Sequence, residues 1–337
     1  MTTLAEVARR AGVTPATVSN VLRERGKVGA ATRQRVLDAV KALDYRPHLT
    51  ARALAEGCTP TLALMVSSIA NPFYPEFALA VERAARHSGR FLIVCNTNED
   101  PEILRTYLHQ IAGSLSEGIL VMNADIDFDE LRRTQARGTP VVLCMWERPD
   151  EPPGIPCVAV DFAEAGAIAA RHLMELGHTR IGVVVGGARD GVQAARYAGF
   201  RAALKTARVA HRPRDVHFSV DSIQGGYEAA SQLLDARTDL TALFATNDLP
   251  ALGAMHAAMD RGLRIPDDLS VIGITDIQLA RESRPGLSTV AIPTDAAATL
   301  AVDLLEALIA GKPVADPMRL APAPVLVARA STGRVRG

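Results

Sequence analysis

The first twelve residues predict a short helix with defined ends. Thr3 and Glu6 have the spacing of a capping box, in which each side chain bonds to the other residue's backbone. Apolar residues recur at helical spacing through residues 4–11, and Gly12 suits the left-handed position that ends a helix. This turn constrains the fold because the next segment must pack against the same apolar face.

A second helix is predicted directly after the turn. Thr14 is a candidate N-cap, and Pro15 occupies the first helical position, where a missing N–H costs nothing. Small and hydrogen-bonding residues at the exposed start of such a helix suit a reader of base edges in a DNA major groove. The alternative is a helical hairpin that only packs. The residues predicted to face outward are Pro15, Ala16, Thr17, Ser19, Asn20 and Arg23.

A third amphipathic segment favours the DNA-binding interpretation. Residues 32–43 form a predicted helix whose apolar side chains would close a small three-helix core. These side chains are Val36, Leu37, Val40 and Leu43.

Charge is distributed unevenly along the chain. Residues 1–59 contain ten Lys or Arg and five Asp or Glu, whereas the complete chain balances 37 basic against 37 acidic residues. A basic head on an acidic body is typical of a protein that binds nucleic acid through one domain.

From Leu62 onward, short apolar strands alternate with helical patterns. Such alternation predicts parallel sheets covered by helices on both faces. The Pro-rich and acidic stretch 147–156 separates two series of strands, which indicates two similar lobes. The predicted strands are 62–67, 91–96, 118–123, 140–145, 157–161, 181–186, 216–220, 242–247 and 269–275.

These motifs resemble the lactose repressor/galactose repressor family of bacterial transcription regulators along nearly the whole chain. The headpiece motifs are Leu4–Ala8, Ala11–Val13, Thr17–Ser19, Thr32–Arg33, Leu43–Tyr45, Pro47 and Ala51–Leu54, and the body motifs include Asn71–Tyr74, Leu176–His178, Arg196–Phe200 and Thr246–Asp248. The combined spacings are far more specific than an isolated helix-turn-helix.

The resemblance implies a small all-α helix-turn-helix headpiece and an α/β core of two doubly wound parallel-sheet lobes, like a periplasmic binding protein. The expected headpiece is 1–46, the hinge 47–59 and the core 60–337. The first lobe would comprise 60–160 and 292–320, and the second 161–291 and 321–337. A homodimer on a palindromic operator of double-stranded DNA, controlled by a small-molecule effector, is the expected assembly.

The resemblance assigns DNA contacts residue by residue. Pro15, Ala16 and Asn20 match the positions that read bases, and Asn pairs well with adenine. Ser19, Arg23 and Lys27 are expected near phosphates, which position the protein without specifying sequence, and Thr14 is a further expected DNA contact. Thr17 either contacts phosphate or packs inside the head.

The hinge segment carries two further expected DNA contacts, Arg52 and Leu54. Residues 48–56 are compatible with a helix of about two turns, which is too short to be stable alone in water. In the family this segment folds on the operator, and the leucine matching Leu54 wedges into the minor groove. The alternative is a solvated linker.

The resemblance also places an effector site between the lobes, at the carboxyl ends of the strands. The matching residues are Phe73, Tyr74, Trp146, Asp161, Arg196, Asp221, Asn247 and Asp276. Met145 and Thr275 stand where the family pattern has acids, which would leave the site poor in carboxylates. This predicts an effector with its own anionic group, such as a sugar acid, although a different neutral ligand is equally compatible with these two residues.

Other classes of protein lack their motifs. No glycine pattern of a dinucleotide enzyme, no catalytic constellation and no metal-ligand spacing is present, so we expect neither enzyme activity nor a cofactor. A helix cap at the start in place of a signal peptide, together with cysteines in apolar strands, favours a cytoplasmic protein that joins the nucleoid when bound to DNA. No membrane partner is expected. The alternative is a periplasmic-type small-molecule binding protein without a DNA function.

Overall fold

A computed structural model describes residues 2–22, 26–45, 60–122, 127–189, 191 and 193–336. The chain separates into two compact units, Met1–Thr59 and Pro60–Gly337. The first unit contains three helices in its described part, and the second is built on two sheets.

The first unit is a three-helix head with the predicted turn. Its helices are α1 Leu4–Ala11, α2 Pro15–Leu22 and α3 Ala30–Ala42. The capping box is present, since the Glu6 amide donates to Thr3 Oγ1 over 3.3 Å and the Thr3 amide donates to Glu6 Oε2 over 2.8 Å. Gly12 ends α1 in the left-handed region, at φ +66°.

The head closes around Val7, Val18 and Val36, which are fully buried. Val40 and Leu43 pack at the edge of this cluster, as predicted. The prediction for Leu37 is wrong, because its side chain is 43% exposed. Leu37 directly follows Val36, and adjacent residues of a helix point about 100° apart, so both cannot enter so small a core.

The second unit contains twelve strands and nine helices among its described residues. In chain order they are β1 Thr61–Val66, α4 Phe73–His87, β2 Phe91–Asn96, α5 Pro101–Ile111, β3 Gly118–Met122, α6 Phe128–Ala136, β4 Val141–Trp146, β5 Cys157–Ala159, α7 Phe162–Glu175, β6 Ile181–Gly186, α8 Ala194–Thr206, β7 Val216–Ser219, α9 Ile223–Ala236, β8 Ala242–Ala245, α10 Asp248–Asp260, β9 Ser270–Thr275, α11 Gln278–Glu282, β10 Ser288–Ala291, α12 Thr294–Ile309, β11 Met318–Leu320 and β12 Val325–Val327. A 3₁₀ turn at Pro213–Asp215 precedes β7.

Each lobe is built on one six-stranded sheet. The first sheet has the order β11-β5-β4-β3-β1-β2, and the second has β12-β10-β9-β8-β6-β7. All pairs are parallel except β10 with β12. The chain crosses between lobes after β5, after β10 and after β11, so α7 packs on the second sheet and α12 on the first.

Nine strands are present where sequence patterns predicted them, and three further strands were not predicted. β10 reads Ser-Thr-Val-Ala, which lacks a long apolar run, and β11 and β12 contain only three residues each. The two short strands are edge strands held by the crossing chain, and their sequences carry too little pattern to reveal them.

Glycines allow the helices of the second lobe to approach closely. A Cβ at Gly199 of α8 would lie 1.8 Å from the backbone oxygen of Ala163 on α7, and a Cβ at Gly166 would lie 1.9 Å from the backbone oxygen of Arg196. These contacts fix the position of α8, which carries Arg196.

We expect Gly199→Ala to destabilise the core. Overpacking against backbone costs about 1–3 kcal/mol or more, which exceeds the roughly 1 kcal/mol that Ala gains in helix propensity. Thermal unfolding of the full chain should begin at a lower temperature. Gly286→Ala is the control, because its added Cβ meets only the Arg329 side chain, at 3.4 Å. Equal effects of the two variants would contradict this account of α7–α8 packing.

Candidate DNA-binding and effector sites

The exposed face of the head includes the residues expected to read bases. Pro15, Ala16 and Asn20 are exposed on α2, and Ala16 and Asn20 are one helical turn apart on the same face. Lys27 is exposed in the segment between α2 and α3. These side chains are accessible to a partner of the head.

Thr14 and Thr17 form a local pair at the start of α2. Their hydroxyl oxygens are 2.9 Å apart, and the Thr17 amide donates to Thr14 Oγ1 over 3.2 Å. Thr14 thus caps the helix, and the half-buried Thr17 has a structural role in the head. Ser19 is also half-buried. The predictions for Arg23, Arg52, Leu54 and the hinge 47–59 lie outside the described residues.

The centre of the candidate effector site is a buried hydrogen-bond network that joins the two lobes. Asp221 Oδ2 accepts hydrogen bonds from Asn247 Nδ2 over 2.8 Å and from Asn71 Nδ2 over 3.1 Å. Asn71 follows β1 of the first sheet, whereas Asp221 and Asn247 follow β7 and β8 of the second. The carboxyl ends of strands from both sheets therefore meet here.

Asp221 is a buried carboxylate whose two oxygens differ in their contacts. Its Oδ1 makes no hydrogen bond of good geometry among the described residues, although the Gln193 side chain lies close enough to lower the pKa of the carboxyl group. Burial raises the pKa of Asp221 above its usual value. The hydrogen bond from Asn247 and the positive charge of Arg196 reduce this increase without cancelling it. A buried acceptor without a partner is costly and is suited to a ligand that donates a hydrogen bond.

Arg196 supplies the complementary donor. Its Nη1 donates to the Thr246 carbonyl over 3.0 Å, and its guanidinium carbon lies 4.3 Å from the centre of the Phe162 ring. Its Nε is buried without a hydrogen-bond partner in the described part of the chain. Arg196, Asp221 and Asn247 are thus grouped in one network, and both charged residues have an unused polar atom.

Tyr74 lies close to this network, whereas Phe73 belongs to the apolar core. Burial raises the pKa of the Tyr74 hydroxyl, and the negative charge of Asp221 raises it further. Phe73 is buried, and its ring packs edge-on against Tyr74 with centroids 6.1 Å apart. Tyr74 is therefore the aromatic residue available to a ligand near Asp221.

The other three predicted effector residues have hydrogen-bond or ion-pair partners within the protein. The Trp146 indole N–H lies 2.8 and 2.9 Å from the carbonyls of Arg148 and Glu151, and its ring packs edge-on against Phe128. Asp161 caps α7 by accepting from the Glu164 amide. Asp276 is paired with Arg329 over 2.5 Å and with Arg281 over 3.2 Å.

Glu147, which sequence reasoning missed, lies against Arg196. Its Oε1 is 3.5 Å from Arg196 Nη2, and burial raises the pKa of Glu147 to about 7 against the opposing effect of Arg196. The expectation of a carboxylate-poor site near Arg196 is therefore wrong, since Glu147 and Asp221 both lie near it. The signal in the sequence that could have predicted Glu147 is its position as a charged residue directly after the buried strand β4.

Thr275 is part of a second buried network that sequence reasoning also missed. Its Oγ1 lies 3.0 Å from Asn247 Oδ1 and 3.1 Å from Asp248 Oδ2. Asp248 also accepts from the Ile277 amide over 3.0 Å and from Thr289 Oγ1 over 2.6 Å, and burial raises its pKa to about 6. A second acid at position 275 would repel this carboxylate, whereas a hydroxyl can donate to it.

Backbone conformation is unusual at the strand ends that carry the site. Met145, Thr275 and Asp276 have positive φ of 58°, 124° and 59°, and the pairing of β4 with β5 shifts register between Leu143 and Trp146. Positive φ at such residues is uncommon and is often found at functional sites.

Known proteins match both units. The pattern of bacterial regulatory proteins of the lacI family covers residues 3–48, and that of the periplasmic binding protein-like domain covers residues 170–332. The HTH-type transcriptional repressor PurR of Haemophilus influenzae (strain PittEE) is 34% identical over 292 residues, which is 86% of each chain. This chain belongs to the LacI family.

Solved structures agree with this assignment. The lac repressor dimer bound to operator and the anti-inducer ONPF matches with a TM-score of 0.87 and 26% identity, over 98% of this chain and 99% of that one. The complex of the transcriptional regulator CelR with cellobiose matches with a TM-score of 0.71 and 30% identity, over 98% of this chain and all of that one. The LacI-family chain is thus a transcriptional regulator and not an enzyme, and the binding-protein alternative is not favoured. None of the helices described above has the length and hydrophobicity that spanning a membrane requires.

We expect Asn20→Ala to weaken binding to a cognate operator by about 1–3 kcal/mol and to relax sequence choice at one symmetric base pair. Competition binding of the full chain to a randomised inverted repeat would measure both effects. Gln34→Ala is the control, because Gln34 is an exposed amide of the head that bonds to Asp38 on its own helix. Equal loss of affinity on all sequences would exclude Asn20 as a base reader.

Lys27→Ala should act differently from Asn20→Ala. An exposed lysine that contacts phosphate contributes equally on every sequence, so affinity should fall uniformly and the salt dependence should become shallower by about one unit of log–log slope. Titrations at several salt concentrations would test this, and an unchanged slope would remove Lys27 from the interface.

Proposed function

We propose that the protein is a cytoplasmic repressor that binds a palindromic operator as a homodimer and is nucleoid-associated while bound. We further propose that a hydroxyl-rich small molecule, a sugar or a sugar-derived acid, controls its operator affinity. The network of Arg196, Asp221 and Asn247 at the meeting point of the two sheets carries this proposal. The CelR–cellobiose complex supports the effector class, and the operator-bound lac repressor dimer supports the DNA and subunit partners.

The chemistry of the site suits a ligand with several hydroxyl groups. Hydroxyl groups can accept from Arg196 Nε and donate to Asp221 Oδ1, which are two of the five buried side-chain atoms without a partner among the described residues. The amides of Asn71 and Asn247 provide further donors and acceptors next to Asp221. Satisfying these groups would make ligand binding favourable.

The effector would act by preferring one arrangement of the lobes. Asn71–Asp221 and Glu147–Arg196 join residues of different lobes, so a ligand that replaces these contacts changes the relative stability of lobe arrangements. We propose that the effector is an inducer that releases the operator. Typical allosteric coupling of about 1–3 kcal/mol corresponds to a roughly 5- to 150-fold change in affinity.

Arg196→Ala should remove effector binding while operator binding without effector persists. A thermal-shift screen of the full chain against sugars, sugar acids, nucleobases and organic acids would identify a ligand. Its affinity should fall more than tenfold in Arg196→Ala. Arg201→Ala is the control, because Arg201 is an exposed residue of the same helix. Undiminished ligand binding by Arg196→Ala would disprove the site assignment.

An exposed apolar edge supports the homodimer. Phe91 and Val94 are exposed on the edge strand β2, and Leu79 is exposed on α4, which packs against that strand. Val220 and Met259 are similarly exposed in the second lobe, after β7 and on α10. Exposed apolar groups on an edge strand and on the helix that packs against it are suited to a subunit interface.

We therefore expect Phe91→Glu to shift the protein from dimer to monomer and to lower operator affinity, because a buried unpaired charge opposes association. Sedimentation velocity would measure the subunit state. Leu320→Glu is a matched control, since Leu320 is 61% exposed on β11 at the opposite edge of the same sheet, compared with 57% for Phe91. A monomeric Leu320→Glu and a dimeric Phe91→Glu would place the interface at the other edge.

A further inference from the structure

Glu147 and Arg196 form an ion pair between the lobes. Glu147 follows β4 of the first lobe, and Arg196 lies on α8 of the second. The Glu147 side chain is 20% exposed and that of Arg196 is 5% exposed, with 3.5 Å between Oε1 and Nη2. This distance is longer than the 2.7–2.9 Å that is usual for a charge-assisted hydrogen bond, so the pair is not tightly closed.

More carboxyl groups than positively charged groups lie near the Arg196 side chain, whose Nε has no hydrogen-bond partner among the described residues. Glu147 and Asp221 are two carboxyl groups that both interact with the single buried guanidinium. Arg148 is on the loop of Glu147, but it lies over the Trp146 ring and pairs with Glu151. The surface groove that Glu147 lines also contains Asp161, which caps α7, and Glu164, which is paired with Arg171.

An anion and a neutral hydroxyl would experience this site differently. An anion that reaches Arg196 must compete with the Glu147 carboxylate and cannot donate a hydrogen bond to it. A hydroxyl can accept from Arg196 and donate to Glu147 or Asp221, which leaves no like charges in contact. The cost of bringing like charges together in a partly buried site exceeds that in water.

We propose that Glu147 determines effector specificity by excluding anionic ligands from Arg196, so that the site takes a neutral polyhydroxylated molecule. This inference rests on the proposed function, because it selects one of the two effector classes named there. Glu147 holds Arg196 while the site is empty, and it becomes a hydrogen-bond acceptor for the ligand when the site is filled.

Protonation of Glu147 should weaken this selection. Because burial raises the pKa of Glu147 to about 7, the side chain is mostly ionised at pH 8 and mostly neutral at pH 6. The preference for neutral over anionic ligands is therefore larger at pH 8. Glu147→Gln should remove this pH dependence.

Matched ligands test the selection directly. D-Galactose with D-galacturonate and D-glucose with D-glucuronate differ by one carboxylate, and calorimetry at pH 8 measures their affinities for the full chain. We expect the neutral member to bind at least tenfold more tightly in the wild type, and Glu147→Gln to reduce this ratio at least tenfold. Glu151→Gln is the control on the same loop. A wild type that prefers the acid, or an unchanged ratio in Glu147→Gln, would overturn the proposal.

Sodium formate tests the exclusion even if none of these sugars binds. Formate is small enough to reach a single guanidinium. With sodium chloride as the ionic-strength control, formate should raise the unfolding temperature of Glu147→Gln but not that of the wild type or of Glu147→Gln/Arg196→Met. Equal responses of the wild type and Glu147→Gln would refute the exclusion.

Trp146 provides a readout that needs no ligand. It is the only tryptophan of the chain, directly precedes Glu147 and is bonded to the same loop. Its fluorescence should change with a midpoint near pH 7 in the wild type and in Glu151→Gln, but not in Glu147→Gln. A transition that persists in Glu147→Gln would show that Glu147 is not the titrating group. These measurements involve no DNA, so they remain decisive even if no sugar alters operator binding and the proposed function fails.

Discussion

The hydrogen bonds of Asp221 hold the two lobes together at the place where a ligand would enter. One carboxylate oxygen accepts from Asn247 of its own lobe and from Asn71 of the other. Breaking the second bond would leave polar groups buried without partners unless water or a ligand replaced it. The contact between the lobes at this point therefore depends on Asp221 keeping both partners.

The architecture brings these residues together by placing strand ends against one another. Parallel strands release their carboxyl ends at one edge of each sheet, and the three crossings bring the two edges face to face. Glycines 166 and 199 let α7 and α8 pack at backbone contact, which sets the depth of Arg196. A change in packing far from Asp221 can in this way alter the site.

Electrostatics then decides which ligand suits the site. Arg196 is a positive group in the network, but Glu147 already faces it and Asp221 lies near it. In their ionised form both carboxyl groups favour ligands that donate hydrogen bonds over ligands that carry negative charge, and burial, which raises both pKa values, weakens this preference as the pH falls. Membership of the LacI family does not fix the preference that we propose, because the proposal rests on Glu147 and its contact with Arg196.

The sequence alone determined the elements whose signals are local. Capping residues and a glycine suited to the left-handed conformation predicted α1 and α2. Continuous apolar runs predicted nine strands, because a strand that is covered on both faces of its sheet consists mostly of apolar residues. Family motifs also predicted Arg196, Asp221 and Asn247 as effector-site residues, and the structure brings these three together in one network. The tertiary structure decided the rest. Leu37 is exposed to solvent in the folded head. Trp146, Asp161 and Asp276 have hydrogen-bond or ion-pair partners within the protein. Glu147 contacts Arg196, which lies 49 positions away in the sequence. Such long-range contacts depend on how lobes and loops pack, and no local pattern of residues encodes them.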